Sequence, residues 1–182
     1  MVAAEGGLIL VSGPSRGGKS LWAESLMRDQ KRVTYVATSA VRPDDPEWQK
    51  RLKRHRERRP IHWSLLEVKT DLAAAITAVA PNEALLIDSL GGFVAWCLDQ
   101  DDQQWQRNTA RLLTALTQRR QPVIVVIEET GWGVVPATAI GGLFRDRLGA
   151  LAQMLETHSH RSWLVVQGRA LDLHTLGVPV CP

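Results

Sequence analysis

Residues 13–20 read Gly-Pro-Ser-Arg-Gly-Gly-Lys-Ser, and no other stretch narrows the fold as far. The stretch fits G-x-x-x-x-G-K-[ST] in full. The apolar run Leu8-Ile9-Leu10-Val11 precedes it, and an amphipathic helical pattern follows from about residue 19. A buried strand turning through glycines into a helix is the setting in which this motif binds phosphate. Glycines let backbone N–H groups curl around phosphate oxygens, and the helix N-terminus adds a positive dipole. In that setting Gly13, Pro14, Ser15, Arg16, Gly17 and Gly18 form the cradle. Lys19 reaches the outer phosphates, and Ser20 is a ligand for Mg²⁺.

The rest of the chain supplies the scaffold that such a loop needs. Further apolar runs are Val33–Ala37, Ala84–Ile87, Val123–Ile127 and Trp163–Val166, with a shorter strand within Ile61–Val68. Runs apolar at every position are strands buried on both faces, as in a parallel sheet. Helical patterns fall between them, at about 19–29, 45–58, 70–79, 104–118 and 138–157. This alternation predicts an α/β fold, a mostly parallel sheet covered by helices on both faces. The 182 residues suit a single domain spanning 1–182. No apolar run is long enough for a membrane span, and the N-terminus lacks a secretory pattern. Two cysteines, Cys97 and Cys181, are too few for a disulfide framework or a zinc cluster, so a cytoplasmic location is expected.

Ligands of such sheets lie at the carboxyl ends of the strands. There Leu85-Leu86-Ile87 ends in Asp88, placed as a Walker B carboxylate for Mg²⁺, or as the N-cap of a following helix. Glu128 and Glu129 follow the fourth long strand, where they can hold metal or a substrate hydroxyl, or belong to a plain loop before a helix capped by Thr138.

Charge is concentrated. The chain carries +3 net, but residues 50–59 hold seven Lys or Arg and one Glu, so the remainder sums to −3. Within that segment His55, its pKa lowered by the surrounding cations, is a neutral nucleophile beside arginines that bind phosphate. The same composition equally describes a solvated basic face or a nucleic-acid-binding patch. Trp48 and Trp63 flank the segment as base-stacking groups or core anchors. His62, His158, His160 and His174 show no metal-ligand spacing and read as surface or packing residues.

Taken together, these segments resemble the bifunctional adenosylcobinamide kinase and adenosylcobinamide-phosphate guanylyltransferase family of cobalamin biosynthesis. The likeness runs from about Leu8 to Leu173. It rests on L-V-S-G-P-S-R-G-G-K-S at 10–20, Y-V-A-T-S at 35–39 and R-L-K-R-H-R-E-R-R-P-I-H-W at 51–63. L-L-I-D at 85–88, E-T-G-W-G-V-V-P at 129–136, F-R-D-R-L-G at 144–149 and W-L-V-V-Q-G at 163–168 complete it. The resemblance implies a P-loop NTPase fold of RecA-like type, assembled as a homotrimer. It implies phosphorylation of adenosylcobinamide from ATP or GTP, then transfer of GMP from GTP through a guanylylated His55 to adenosylcobinamide phosphate. It places Arg56, Glu57, Arg58, Arg59, Glu67, Thr38 and Ser39 at the nucleotide, and Lys19, Ser20 and Asp88 at nucleotide and Mg²⁺. A corrinoid is then the small-molecule partner, and no nucleic acid is expected. A P-loop kinase or nucleotidyltransferase with a different acceptor, and an NTP-dependent nucleic-acid binder, are the alternatives. The chain departs from the family pattern after Asp88, where D-C-L-T and a later Asn become the run Ser89 to Trp96. It departs again at Glu128, where the family has Asn, and at Ala152, where it also has Asn.

Overall fold

The computed structural model describes Ala4, residues 6–40 and residues 42–180. Among these the strands form one seven-stranded sheet in the order β3-β2-β4-β5-β1-β6-β7. The strands are β1 (Leu8–Gly13), β2 (Val33–Ala37), β3 (Ser64–Glu67), β4 (Ala84–Asp88), β5 (Val123–Glu128), β6 (Arg161–Val166) and β7 (Arg169–Asp172). All neighbours pair in parallel except β6 and β7, which are antiparallel. The helices are α1 (Lys19–Leu26), α2 (Pro46–Arg58), α3 (Leu72–Ala78), α4 (Leu90–Trp96), α5 (Asp102–Thr117), α6 (Ala139–Glu156) and α7 (Leu173–Leu176).

Alternation along each strand sends side chains to two separate cores. Leu8, Leu10, Leu85, Ile87, Val123 and Val125 face one way, into a cluster completed by α3, α4, α5 and α6. Ile9, Val11, Tyr35, Leu86, Ile124 and Val126 face the other way, against Ala23, Leu26 and Met27 at α1. Burial on both faces is why these strands are apolar at every position, and it bears out the α/β reading of the sequence. Trp63 is buried in the second core.

Local chemistry sets the element ends. Asp45 accepts from the Trp48 N–H to cap α2, with Pro46 in its first turn. A capping box between Asp101 and Gln104 starts α5, and Thr138 caps α6. The structure also corrects four expectations. Helix α1 stops at Leu26, because the Met27 N–H turns back to the Glu24 carbonyl. The third strand is only Ser64–Glu67, because a turn from Pro60 to Trp63 occupies the residues before it. Asp88 ends β4, and Ser89 is the N-cap residue of α4. Helix α4 was expected only in the alternative that Asp88 caps a following helix, with no bounds given, and the β6–β7 hairpin was not foreseen. Cys97 is buried with a free thiol, while Cys181 lies outside the described residues.

Phe93, 1% exposed, anchors α4 in the first core and stacks on Trp105 at 6.0 Å between ring centroids. Phe93→Ala is expected to cost about 3–5 kcal/mol. A lowered urea midpoint with unchanged slope is the expected result.

Candidate active site

The glycine-rich loop joins β1 to α1 at the carboxyl edge of the sheet. Gly13 has φ +145°, and a Cβ there would lie 2.3 Å from the Val165 carbonyl oxygen; at Gly17 the same oxygen would be 2.6 Å away. Glycine is required because the loop packs its backbone directly on β6. The Gly168 N–H donates to the Gly17 carbonyl at 2.9 Å, so the β6–β7 turn braces the loop from outside. Across β5, the Glu129 N–H donates to the Gly13 carbonyl at 2.8 Å.

Lys19 is 6% exposed, and its ammonium donates to the Pro14 carbonyl at 2.8 Å. Burial pushes its pKa below the usual lysine range, while the Glu128 and Asp88 carboxylates counter that push. The cation is thus held over its own loop, where a phosphate oxygen can exchange for the carbonyl.

Asp88 is the junction of the second half of the site. Its Oδ2 accepts from the Tyr35 hydroxyl at 2.8 Å and lies 3.8 Å from His55 Nδ1. Burial, followed by the Asp88 charge, raises the Tyr35 pKa and keeps its proton in place to donate. Arg59 lies over the Tyr35 ring at 4.7 Å. Arg58 holds α2 to α1 through a two-pronged bond to Glu24, at 2.9 and 3.2 Å. The same guanidinium stands 3.5 Å from His55 Nδ1. The pKa of His55 is lowered, as the sequence suggested, but burial is the largest cause; Asp88 opposes it, and Arg58, Arg51 and Arg59 add to it. Asp88 and Arg58 both stand on the Nδ1 edge of the ring.

A cavity of about 550 Å³ lies between the loop and α2. It brings together Arg16, Gly17, Gly18, Lys19 and Ser20 with His55 and Arg58, and adds Trp48, Arg51 and Arg54 from the helix. Trp48, Arg51, His55 and Arg58 are spaced by three, four and three residues, one face of a helix. That spacing was the available signal for Arg51, which the sequence reading did not single out. Arg56 and Glu57 fall on the exposed face instead, where Glu57 pairs with Lys53 at 3.8 Å. Trp48 is half-buried, with Arg42 and Arg51 over its ring at 5.0 and 5.7 Å.

Other expected residues lie apart from that cavity. Thr38 is fully buried; its hydroxyl donates to the Ser89 carbonyl and accepts from the Ser89 N–H. Ser39 is half-buried beside it, and Glu67 is exposed at the end of β3, opposite Ala37. Glu128 is occupied within the protein: it accepts from the Ser89 hydroxyl and from the Gly91 N–H. Among the described residues no group of three or more His, Cys, Asp or Glu is placed to hold a metal. The hydroxyl of Ser20 and the carboxylate of Asp88 are hard oxygen donors that suit Mg²⁺ when phosphate oxygens and water complete its shell.

A glycine-cradled helix N-terminus, a buried lysine and a strand-end carboxylate on a parallel sheet define a P-loop nucleotide-binding protein. A solved structure of a prototypical ATPase from the type III secretion system of pathogenic bacteria matches the fold with a TM-score of 0.61 at 10% identity. That match covers 98% of this chain and 65% of the other, just under two thirds, and concerns the fold alone. The family profile described as cobinamide kinase / cobinamide phosphate guanyltransferase matches residues 9–173, and the chain belongs to this family. It is 35% identical to the bifunctional adenosylcobalamin biosynthesis protein CobU of Salmonella typhimurium, over 88% of this chain and 96% of that one. It is 34% identical to CobU of Escherichia coli, with the same coverage. It is likewise 34% identical to the bifunctional protein CobP of Pseudomonas aeruginosa, over 90% and 95% of the two chains.

Gly13→Ala is expected to force the loop off β6, lowering stability by about 1–3 kcal/mol. Nucleotide affinity should fall about tenfold or more, read by titration calorimetry.

Proposed function

We propose that this chain carries out both reactions of its family on one carboxyl edge: phosphorylation of adenosylcobinamide from ATP or GTP, and transfer of GMP from GTP to the phosphorylated product. The observation that carries this reading is that His55 and the phosphate loop line the same cavity.

In the phosphoryl step the loop amides and Lys19 bind the nucleotide's outer phosphates. The acceptor hydroxyl oxygen bonds to the γ-phosphorus, its proton passes to solvent, and the electron pair of the broken P–O bond leaves on the nucleoside diphosphate. In the guanylyl step His55 Nε2 attacks the α-phosphorus of GTP. A P–N bond forms, the α–β P–O bond breaks, and its electron pair leaves with pyrophosphate. A phosphate oxygen of adenosylcobinamide phosphate then displaces the imidazole and frees His55. Arg51, Arg54 and Arg58 neutralise charge along the phosphate chain. Asp88 faces Nδ1 and favours its proton there, which keeps the Nε2 lone pair available. Ser20 and Asp88 would hold Mg²⁺, which supplies charge neutralisation at the phosphates. Following the resemblance, the chain works as a homotrimer in the cytoplasm.

Incubation with GTP labelled at the α-phosphate, followed by denaturing electrophoresis, tests the reading. Wild type should carry an acid-labile, base-stable label. His55→Ala should lose that label while still phosphorylating cobinamide; a labelled His55→Ala protein removes the histidine from the chemistry. Lys19→Ala should lose GTP binding and both activities, and normal kinetics in that variant would sink the phosphate assignment.

A further inference from the structure

At the carboxyl edge of the sheet, Glu128 reaches across from the end of β5 to the turn after Asp88. One carboxylate oxygen accepts from the Ser89 hydroxyl, and the other accepts from the Gly91 N–H at 3.0 Å. Gly91 makes room for it: a Cβ at that position would lie 2.6 Å from Glu128 Oε2 and 2.9 Å from the carboxyl carbon. Ser89, Gly91 and Glu128 are therefore one interlocked set, in which the absent side chain at one position admits the long acid at another. In the register of the sheet Glu128 stands opposite Gly13, and Asp88 stands opposite Val126 on the same strand. Glu128 thus links two strand ends, its backbone paired beside the strand that bears the phosphate loop and its carboxylate bonded to the turn that follows the Walker-type acid. None of the three residues lines the cavity between the loop and α2.

We infer that Glu128 is a positioning residue for phosphoryl transfer, a clamp that fixes the Ser89–Gly91 turn, and with it Asp88, relative to the phosphate loop. The inference rests on the two-reaction reading above. Two acceptor oxygens on one rigid strand end hold a hydroxyl and an amide N–H at once, so the turn has little freedom to drift. Misplacing a site group by about 1 Å can cost on the order of 100-fold in turnover while leaving ligand binding largely intact. The cavity that receives the nucleotide on the α2 side takes none of its lining from the clamp, whose charge reaches it through Lys19 alone among the groups described above. Losing the clamp therefore falls on the turnover of the acceptor step before it falls on GTP binding.

The test separates turnover from binding and steric coupling from activity. Glu128→Ala should lower kcat for cobinamide phosphorylation by about 10- to 100-fold. Its GTP Kd should stay within about threefold of wild type, less than half a decade, while His55 labelling from α-labelled GTP, which also depends on Asp88, should slow along with the turnover. Glu128→Gln can donate its amide to the Ser89 oxygen and accept from the Gly91 N–H, so it should recover most of the turnover lost in Glu128→Ala. Gly91→Thr should lower the thermal midpoint, because the new side chain meets the carboxylate. Combining Gly91→Thr with Glu128→Asn, one carbon shorter, should restore much of that loss; two independent sites would instead give additive effects. A folded Glu128→Ala protein with wild-type kcat overturns the inference, and so does strict additivity of Gly91→Thr and Glu128→Asn. Should wild type phosphorylate no cobinamide while binding GTP, the functional reading fails, and the additivity measurement alone then decides the clamp.

Discussion

Asp88 is the carboxylate on which the geometry of this site turns. It ends a strand buried on both faces, so its backbone is fixed by the sheet before any side chain acts. Tyr35, one strand over, reaches up from the second core to donate to it. His55, on a helix with no fully buried residue, faces the same oxygen. Thr38 and Glu128 then secure the next residue, Ser89, from either side. A group so heavily constrained has a defined direction, and the proposed reaction, in which His55 and the phosphate loop address one nucleotide, needs a common reference of that kind.

The contrast between the two walls of the cavity is energetic. The phosphate loop is tied into the sheet by backbone contacts with β5, β6 and the β6–β7 turn. Helix α2 is attached by polar contacts instead: the Arg58–Glu24 pair, the approach of His55 to Asp88, and Arg59, at its C-terminal end, stacked on Tyr35. Partly exposed ion pairs contribute about 0–1 kcal/mol each and weaken with salt. One wall is therefore fixed by the fold, and the other rests on it through charge.

How much of this could be read in the sequence follows from the range of the interactions. The long strands were legible because burial on both faces leaves a continuous apolar run. The phosphate loop was legible because its chemistry is local. Helix α4 was not, since Gly91 and Gly92 weaken the helical pattern and the helix is stabilised by Phe93 in the core. The β6–β7 hairpin escaped notice because β7 is four residues long. Within the basic segment composition could not separate Arg51 from Arg56; only the helical period and the position of α2 do so. Ser89, Gly91 and Glu128 read as scattered departures from a family pattern, because 39 residues separate Ser89 from Glu128 along the chain. Their contact exists only once β4 and β5 are paired.

The placement of Trp48 has an optical consequence. The chain has seven tryptophans, and those at 63 and 163 are buried in the core. Trp48 instead sits on the cavity wall, its indole stacked with guanidinium groups that phosphate would attract. Its emission depends on the local electric field, so a polyphosphate bound beside Arg51, as the proposed function requires, would shift that emission. The proposed nucleotide cavity thus has a dye built into its wall.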